Sequence, residues 1–283
     1  MNDDAQTVFL NGEFLPLDQA RVPVLDRGFI FGDGIYEVVP VYARKPFRWR
    51  QHLKRLGGSL QAIGITNPRD EAGWTELVHE LIARHPWQDQ FVYIQVTRGV
   101  ARRDHAFPKD VQPTVFAMSS QFVPVADALR ATGVSAISLP DERWLHCDIK
   151  SISLLGNVLA RQAAVEAQAF ECVMFRDGYL TEGSASNIWV VRGNTVFCPP
   201  RDRLILEGIR VGLVEELCAT AGITLDIRRI TREEVQAADE LLLTSATREV
   251  LSITSLDGKP VGDGRPGPVY GKLYAAYQQA KAG

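Results

Sequence analysis

One lysine in the sequence stands apart from the others and could act as a nucleophile. Of the seven lysines, six lie beside a turn, beside a charged residue or in a terminal helix. Lys150 lies in an apolar and small-residue run, and no further charge follows it until Arg161. Loss of hydration favours the neutral amine, which is what Schiff-base chemistry requires. The alternative is a lysine at a helix start, with its stem on apolar surface and its charge beside Asp148.

A carboxylate in a loop of small residues is the second candidate group. Glu182 lies in the segment Thr-Glu-Gly-Ser-Ala-Ser-Asn, residues 181–187, between two predicted strands. Small residues let a flat ligand approach the backbone closely. An ordinary hairpin loop is the alternative interpretation.

Three further segments could bind anions. Residues 207–210, Glu-Gly-Ile-Arg, open a predicted helix, whose free N–H groups suit a phosphate. Residues 245–247, Ser-Ala-Thr, form a second small polar loop after a strand. Arg103 and His105, two residues apart, could bind a carboxylate, although a solvated loop has the same composition.

Other common motifs are absent or lack their required context. The sequence has no G-x-x-x-x-G-K-[ST], H-E-x-x-H or G-x-S-x-G pattern. A G-x-G-x-x-G at Gly262, Gly264 and Gly267 is interrupted by Pro266, so it predicts a turn before the last helix. The four cysteines form no C-x-x-C pair, and no metal site is expected.

Composition excludes several classes of protein. The chain has 283 residues, 46% hydrophobic and 23% charged, with a net charge of −3. These values are typical of a globular protein and argue against nucleic-acid binding. No apolar run is long enough for a membrane span, and cysteine usage favours the cytoplasm.

Hydrophobic periodicity predicts an α+β chain with two domains. Strand patterns precede two amphipathic helices in the first half, and the second half mixes strands with a long helix over residues 154–169. A further strand is expected over residues 225–230. We place an N-terminal domain at residues 1–120, a linker at 121–127 and a C-terminal domain at 128–283.

The order of these segments resembles the fold-type IV pyridoxal 5′-phosphate (PLP) enzymes. That family includes D-amino-acid and branched-chain aminotransferases and aminodeoxychorismate lyase. The resemblance runs from about Phe9 to Tyr277. It is carried by residues 26–28 (Asp-Arg-Gly), 31–37 (Phe-Gly-Asp-Gly-Ile-Tyr-Glu), 148–150 (Asp-Ile-Lys), 181–183 (Thr-Glu-Gly), 208–209 (Gly-Ile) and 244–245 (Thr-Ser). The Arg-x-His pair at 103 and 105 is most similar to the D-amino-acid aminotransferases.

The resemblance implies a fold and a set of roles. The fold would pair an N-terminal α/β sandwich-like domain with a C-terminal barrel-like domain. Lys150 would hold PLP as a Schiff base and move the substrate proton, and Glu182 would pair with the pyridine nitrogen. Further cofactor contacts would come from Arg55, Leu206, Ile209, Arg210, Ala246, Thr247, Ser184 and Ala185. Tyr36 would bind the substrate carboxylate, with Arg103 and His105 reaching in from the second subunit of a homodimer.

The implied reaction moves the amino group of a D-amino acid, such as D-alanine, to a 2-oxo acid by a ping-pong mechanism. A branched-chain L-amino-acid or (R)-amine transaminase on the same fold is the alternative. A non-catalytic binding protein is a third possibility, which the intact Lys150 and Glu182 disfavour. Arg210, Ala185 and Ala246 depart from the family pattern, in which hydroxyl side chains are common. We hypothesise that the charge of Arg210 compensates for the phosphate contacts that those hydroxyl groups would make.

Overall fold

A computed structural model describes residues 6–206 and 208–282, without the side chains of Arg210 and Ala282. The α+β prediction is confirmed, because strand runs and helices are mixed along the chain, and the strands pair mainly antiparallel. The chain divides into two compact units, the first ending at Val123 and also including Ile149–Leu154, and the second containing Pro124–Asp148 and the chain from Leu155 onward. Within the described residues, no helix is both long and apolar enough to cross a bilayer.

The first unit is built on a six-stranded antiparallel sheet in the order β2-β1-β6-β5-β3-β4. Its strands are β1 (Thr7–Leu10), β2 (Glu13–Pro16), β3 (Gly34–Tyr42), β4 (Lys45–Pro46), β5 (Gln90–Thr97) and β6 (Thr114–Gln121). Its helices are α1 (Arg27–Phe31), α2 (Trp49–Ala62) and α3 (Glu71–Ala83). The Asn-Gly pair at residues 11 and 12 forms the β1–β2 turn, with both φ angles positive.

The core of the first unit follows from the two amphipathic helices. Leu56 and Leu60 of α2 share one face, as do Trp74, Leu77 and Leu81 of α3. All five are at most 3% exposed and pack with the inward-facing residues of β3 and β5. This packing fixes β3, the strand that carries Tyr36 and Glu37.

The second unit contains a nine-stranded sheet in the order β12-β11-β10-β13-β14-β7-β8-β9, with β15 paired to β14. The strands are β7 (Val134–Pro140), β8 (Glu171–Arg176), β9 (Tyr179–Leu180), β10 (Asn187–Arg192), β11 (Thr195–Cys198), β12 (Thr224–Ile227), β13 (Glu240–Ser245), β14 (Glu249–Leu256) and β15 (Lys259–Pro260). The strand pairs β7–β8, β7–β14 and β11–β12 are parallel. The helices are α4 (Asp127–Thr132), α5 (Leu155–Glu166), α6 (Ile209–Ala221), α7 (Arg232–Gln236) and α8 (Pro268–Ala282). The capping box at Thr231 and Glu234 is present as predicted.

Two element boundaries differ from the sequence prediction. The long helix ends at Glu166 rather than at residue 169, because Gln168 has a positive φ and the chain turns into β8. The strand expected over residues 225–230 ends at Ile227. In addition, Ile149–Leu154 groups with the first unit, whereas the sequence-based boundary assigns it to the C-terminal domain. The bridge between Ile35 and Ser151 accounts for that grouping.

Candidate active site

Lys150 lies beside the start of β3, where backbone pairing fixes its position. The N–H of Tyr36 donates to the carbonyl oxygen of Lys150 at 3.0 Å, and the N–H of Ile152 donates to that of Gly34 at 3.1 Å. The Lys150 N–H also approaches the Ser59 hydroxyl at 3.3 Å. As a result, Nζ of half-buried Lys150 lies 4.0 Å from the centre of the Tyr36 ring. The structure therefore brings together two of the predicted site residues.

Gly34 must be a glycine for this pairing to form. A Cβ at this position would lie 2.5 Å from the carbonyl oxygen of Val96 and 2.9 Å from Cα of Thr97. Both atoms belong to the backbone of β5, which cannot shift without disturbing the sheet.

Arg55, the predicted phosphate ligand, is held by a buried carboxylate. Its Nε and Nη2 donate to the two oxygens of Glu37 at 2.7 and 2.8 Å, in a bidentate pair. Nδ1 of His52 lies 2.7 Å from Glu37 Oε2. Burial alone would raise the pKa of Glu37, but the Arg55 guanidinium and His52 outweigh it and hold that pKa far below its usual range. Glu37 therefore stays ionised and fixes the direction of Arg55.

Glu182 is a buried carboxylate, 5% exposed, in a network of donors. Nη1 of Arg143 lies 2.5 Å from Oε1. The backbone N–H of Leu206 and the side-chain amide of Asn187 approach Oε2 at 3.1 and 3.3 Å. Arg143 also binds Asp141: its Nε donates to Oδ1 at 3.0 Å and its Nη2 donates to Oδ2 at 2.9 Å.

The ionisation of Glu182 is balanced close to neutral pH. Burial raises its pKa to about 7, against the opposing effect of the Arg143 guanidinium and of the Leu206 N–H. The same two carboxylates, Asp141 and Glu182, raise the pKa of Arg143 despite its burial. A carboxylate poised in this way can accept a hydrogen bond from a cationic ligand atom and stabilise its charge.

A second buried acid, Glu171, holds the loop that carries Glu182 through hydrogen bonds. Glu171 accepts hydrogen bonds from the backbone N–H of Ser184 at 3.0 Å, from the Ser184 hydroxyl at 2.5 Å and from the Ser186 hydroxyl at 2.9 Å. The amide of Asn157 donates to the Ser184 carbonyl at 2.8 Å. The Ser184 hydroxyl is thus engaged inside the protein, and Ala185 is the next residue on this rigid loop.

The predicted phosphate segments lie at the start of α6 and between β13 and β14. Helix α6 begins at Ile209 after Gly208, which provides no side-chain cap. The Val211 N–H donates to the Gly208 carbonyl at 2.9 Å, and the N–H groups of Ile209 and Arg210 precede it in the first turn, where a helix has no carbonyl partners of its own to offer. Residues 246–247 follow β13, and the Ser245 hydroxyl accepts from the Arg248 N–H at 3.1 Å. Glu207 and the side chain of Arg210 lie outside the described part of the chain.

Arg103 and His105 are exposed on the loop that follows β5, in the first unit. The Arg103 guanidinium lies 5.4 Å from the centre of the Phe31 ring, and the His105 ring lies 5.3 Å from it. Both side chains therefore lie beside the same ring, that of Phe31, which forms an aromatic platform.

The chain matches one known protein family over most of its length. Residues 34–256 match the family model described as amino-transferase class IV. The chain belongs to the class IV aminotransferases. Among curated relatives of this aminotransferase, D-alanine aminotransferase of Bacillus licheniformis is 39% identical over 273 residues, covering 96% of both chains. D-alanine aminotransferase of Staphylococcus aureus is 36% identical over 275 residues, covering 97% of both.

A solved structure supports the fold of the aminotransferase. The branched-chain amino acid aminotransferase of Escherichia coli superimposes with a TM-score of 0.92, covering 97% of this chain and 94% of the other at 22% identity. The similarity at this level of identity concerns the fold, and it confirms the fold-type IV prediction.

Class IV aminotransferases use PLP, and the donor set of this aminotransferase fits that cofactor. PLP presents an aldehyde, a basic ring nitrogen and a phosphate. The chain offers a half-buried amine at Lys150, a buried carboxylate at Glu182 and an uncapped helix start at Ile209. Each chemical group of the cofactor thus has a matching group in the aminotransferase.

Sequence reasoning missed the charged residues that support the site. Asp141, Arg143 and His52 have charged or polar neighbours in the sequence, and nothing local distinguishes them from solvated residues. Glu171 stands beside an apolar run, Cys-Val-Met-Phe at residues 172–175. Glu37 did offer a signal, because a lone acid inside an apolar strand must be paired when it is buried.

Proposed function

We propose that this aminotransferase transfers the amino group of a D-amino acid, such as D-alanine, to a 2-oxo acid, such as 2-oxoglutarate or pyruvate. The amino donor leaves as a 2-oxo acid before the acceptor binds, in ping-pong order. The observation that carries the proposal is the pair of D-alanine aminotransferases that match nearly the full chain at 36–39% identity. The location of Arg103 and His105 beside the same ring agrees with it, because an arginine and a histidine can both donate hydrogen bonds to a carboxylate substrate.

Lys150 is the catalytic residue in this proposal. Bound PLP supplies an aldehyde that takes up the amino group and a ring that withdraws electrons from the substrate Cα. The ε-amine of Lys150 would hold the cofactor and, as a free amine, would carry the proton at Cα. Backbone pairing with Tyr36 and Gly34 keeps that amine in place.

Glu182 accepts a hydrogen bond from the ring nitrogen and keeps it protonated. Arg143 favours the ionised carboxylate, which stabilises the positive nitrogen next to it. Leu206, whose N–H contacts Glu182, packs on the cofactor ring from the same segment.

Several groups hold the phosphate and line the cofactor. Arg55, directed by Glu37, binds the phosphate oxygens together with the N–H groups of Ile209 and Arg210. The loop at Ala246 and Thr247 closes the phosphate site, and the loop at Ser184 and Ala185 lies against the cofactor.

The substrate carboxylate is bound by Tyr36 and by Arg103 and His105 of a second subunit. This arrangement requires a homodimer with shared active sites. Helix α5 supports the dimer: Ala160 and Ala164 pack against Met174, whereas the opposite face exposes Leu155, Val158 and Leu159 by 72, 57 and 62%. An exposed apolar stripe of this kind is typical of a protein interface. We place the enzyme in the cytoplasm, because its four cysteines are free thiols.

A substrate panel tests the proposed reaction. Purified enzyme loaded with PLP is mixed with D-alanine, L-leucine or (R)-1-phenylethylamine, each with 2-oxoglutarate, and the cofactor absorbance is followed. We expect D-alanine to change the spectrum and to give pyruvate. Activity on L-leucine alone would support a branched-chain enzyme instead, and a preparation that takes up no PLP would support a binding protein.

Covalent attachment is tested separately from turnover. Borohydride reduction followed by peptide mass spectrometry is expected to find the cofactor on Lys150 and to find none in Lys150→Ala. Lys272→Ala removes an exposed lysine of α8 and serves as the matched control. A label on any other side chain would contradict the role of Lys150.

A further inference from the structure

The loop that carries Arg103 and His105 is anchored by residues that the reaction itself does not use. Arg27, the first residue of α1, is 3% exposed. Its Nη1 donates to the carbonyl oxygen of Asp104 at 2.5 Å, and its Nη2 lies 3.4 Å from that of His105. These carbonyls belong to the segment that directs both the Arg103 and the His105 side chains. A buried guanidinium therefore fixes the backbone of an exposed loop.

Asp33 links Arg27 to Arg98, a second arginine that contacts the same loop further along. Its Oδ2 accepts from Nε of Arg27 at 2.8 Å and from Nε of Arg98 at 2.7 Å. The Arg98 guanidinium in turn lies 3.6 Å from the centre of the Phe107 ring. Burial alone would raise the pKa of Asp33, but the two guanidinium groups outweigh it and lower that pKa. The loop is thus held on both sides of His105 by one ionised carboxylate.

The end of α1 supplies the platform under the pair. Phe31 is half-buried, and its ring faces the Arg103 guanidinium, the His105 ring and the Arg27 guanidinium, the last at 4.8 Å. Helix α1 is itself fixed, because buried Asp26 caps it at the Gly28 N–H and accepts from the hydroxyls of Thr97 and Thr114. Two flexible side chains are therefore oriented by a rigid element before any ligand arrives, which reduces the entropy lost on binding.

We infer that Arg27 and Phe31 are positioning residues for carboxylate recognition, holding Arg103 and His105 in the direction needed to bind the substrate carboxylate. The inference rests on the proposed function, which assigns carboxylate binding to Arg103 and His105. A purely structural role for Arg27 would change stability and leave carboxylate affinity unchanged.

The test measures binding of propionate, which is D-alanine without its amino group, to the PLP-loaded enzyme by titration calorimetry. Arg27→Lys keeps the charge but loses the fork that reaches two carbonyl groups, and Phe31→Leu removes the platform. We expect each to weaken propionate binding by about tenfold, the effect of losing one charge-assisted contact. The KM for D-alanine should rise by a similar factor with kcat at saturation nearly unchanged.

Arg102→Lys is the matched control, because Arg102 is exposed on the same loop. Arg103→Ala and His105→Ala report on the proposed function. If these two weaken propionate binding while Arg27→Lys and Phe31→Leu do not, the positioning role is overturned and the proposed function stands. If Arg103→Ala and His105→Ala have no effect, carboxylate binding by this pair is wrong and the positioning role falls with it. Should Arg27→Lys fail to fold, Phe31→Leu decides.

Discussion

Arg143 lies directly against Glu182, and each side chain is less than a tenth exposed. The guanidinium donates through Nη1 to Glu182 and through Nε and Nη2 to Asp141, so its plane is fixed by three hydrogen bonds. Asp141 is held in turn by Arg176 at 3.0 Å and by the Thr181 hydroxyl at 2.8 Å. Arg143 cannot turn away from Glu182 without leaving buried charges unpaired, which is costly. It is therefore the main group that opposes the effect of burial on the pKa of Glu182.

Replacing Arg143 by glutamine is expected to weaken cofactor binding. Without the guanidinium, the Leu206 N–H is left as the main group that opposes burial, so the pKa of Glu182 rises further and the carboxyl group is neutral at pH 7. A neutral acid does not keep the ring nitrogen protonated. We expect PLP affinity to fall roughly 10- to 100-fold, the effect of losing a charged hydrogen bond. Equilibrium dialysis measures the affinity, and Arg228→Gln, which breaks the exposed pair with Glu234, is the control. Equal affinity in the two variants would contradict the role of Arg143.

The stability of the cofactor-free enzyme should carry a pH signature of Glu182. Its pKa is about 7 in the folded chain and near the ordinary 4.5 when unfolded. Between these values the folded state binds a proton that the unfolded state lacks, so the contribution of Glu182 is complete below pH 4.5 and is lost as pH rises towards 7. The loss amounts to roughly 3 kcal/mol. Between pH 5 and pH 8, the free energy of unfolding measured with urea should therefore fall more for the wild type than for Glu182→Gln. Parallel behaviour of the two proteins would refute this assignment.

Glu37 should behave in the opposite way. Its pKa is depressed, so its stabilisation is present above pH 4.5 and is lost as the pH falls. Glu37→Gln leaves the charge of Arg55 without its buried partner and should lower the free energy of unfolding at pH 7 by about 3–5 kcal/mol. Glu80→Gln breaks the exposed pair with Arg84 and should cost less than about 1 kcal/mol. Thermal unfolding of the two variants compares them directly. Similar losses of stability would show that the buried Glu37–Arg55 pair contributes no more than the exposed Glu80–Arg84 pair.

How much of this site can be predicted depends on where its signals lie in the sequence. The resemblance to the fold-type IV enzymes gives Lys150 and Glu182 their roles; from composition alone, each is recognisable as a candidate. Arg143 is not, because its partner Glu182 is 39 positions away and only the second unit's fold brings them together. Most of the helices and strands follow from local hydrophobic periodicity, whereas the short helices α1 and α4 do not. The grouping of Ile149–Leu154 with the first unit depends on a bridge to Ile35, and pairing over such a separation leaves no local pattern.

Helix α5 provides the last prediction, which concerns the proposed homodimer. Leu159 is 62% exposed in the single chain, on the face opposite to the residues that pack against β8. If this stripe is covered by a second subunit, Leu159→Glu places a charge in an apolar interface and should shift the dimer to monomer in light scattering at micromolar concentration. The monomer should keep its helical circular dichroism but lose transamination, because Arg103 and His105 would no longer reach a second site. Ile227→Glu, on the edge strand β12 and 40% exposed, is the control and should leave the assembly unchanged. A Leu159→Glu protein that stays dimeric and active would place the interface elsewhere.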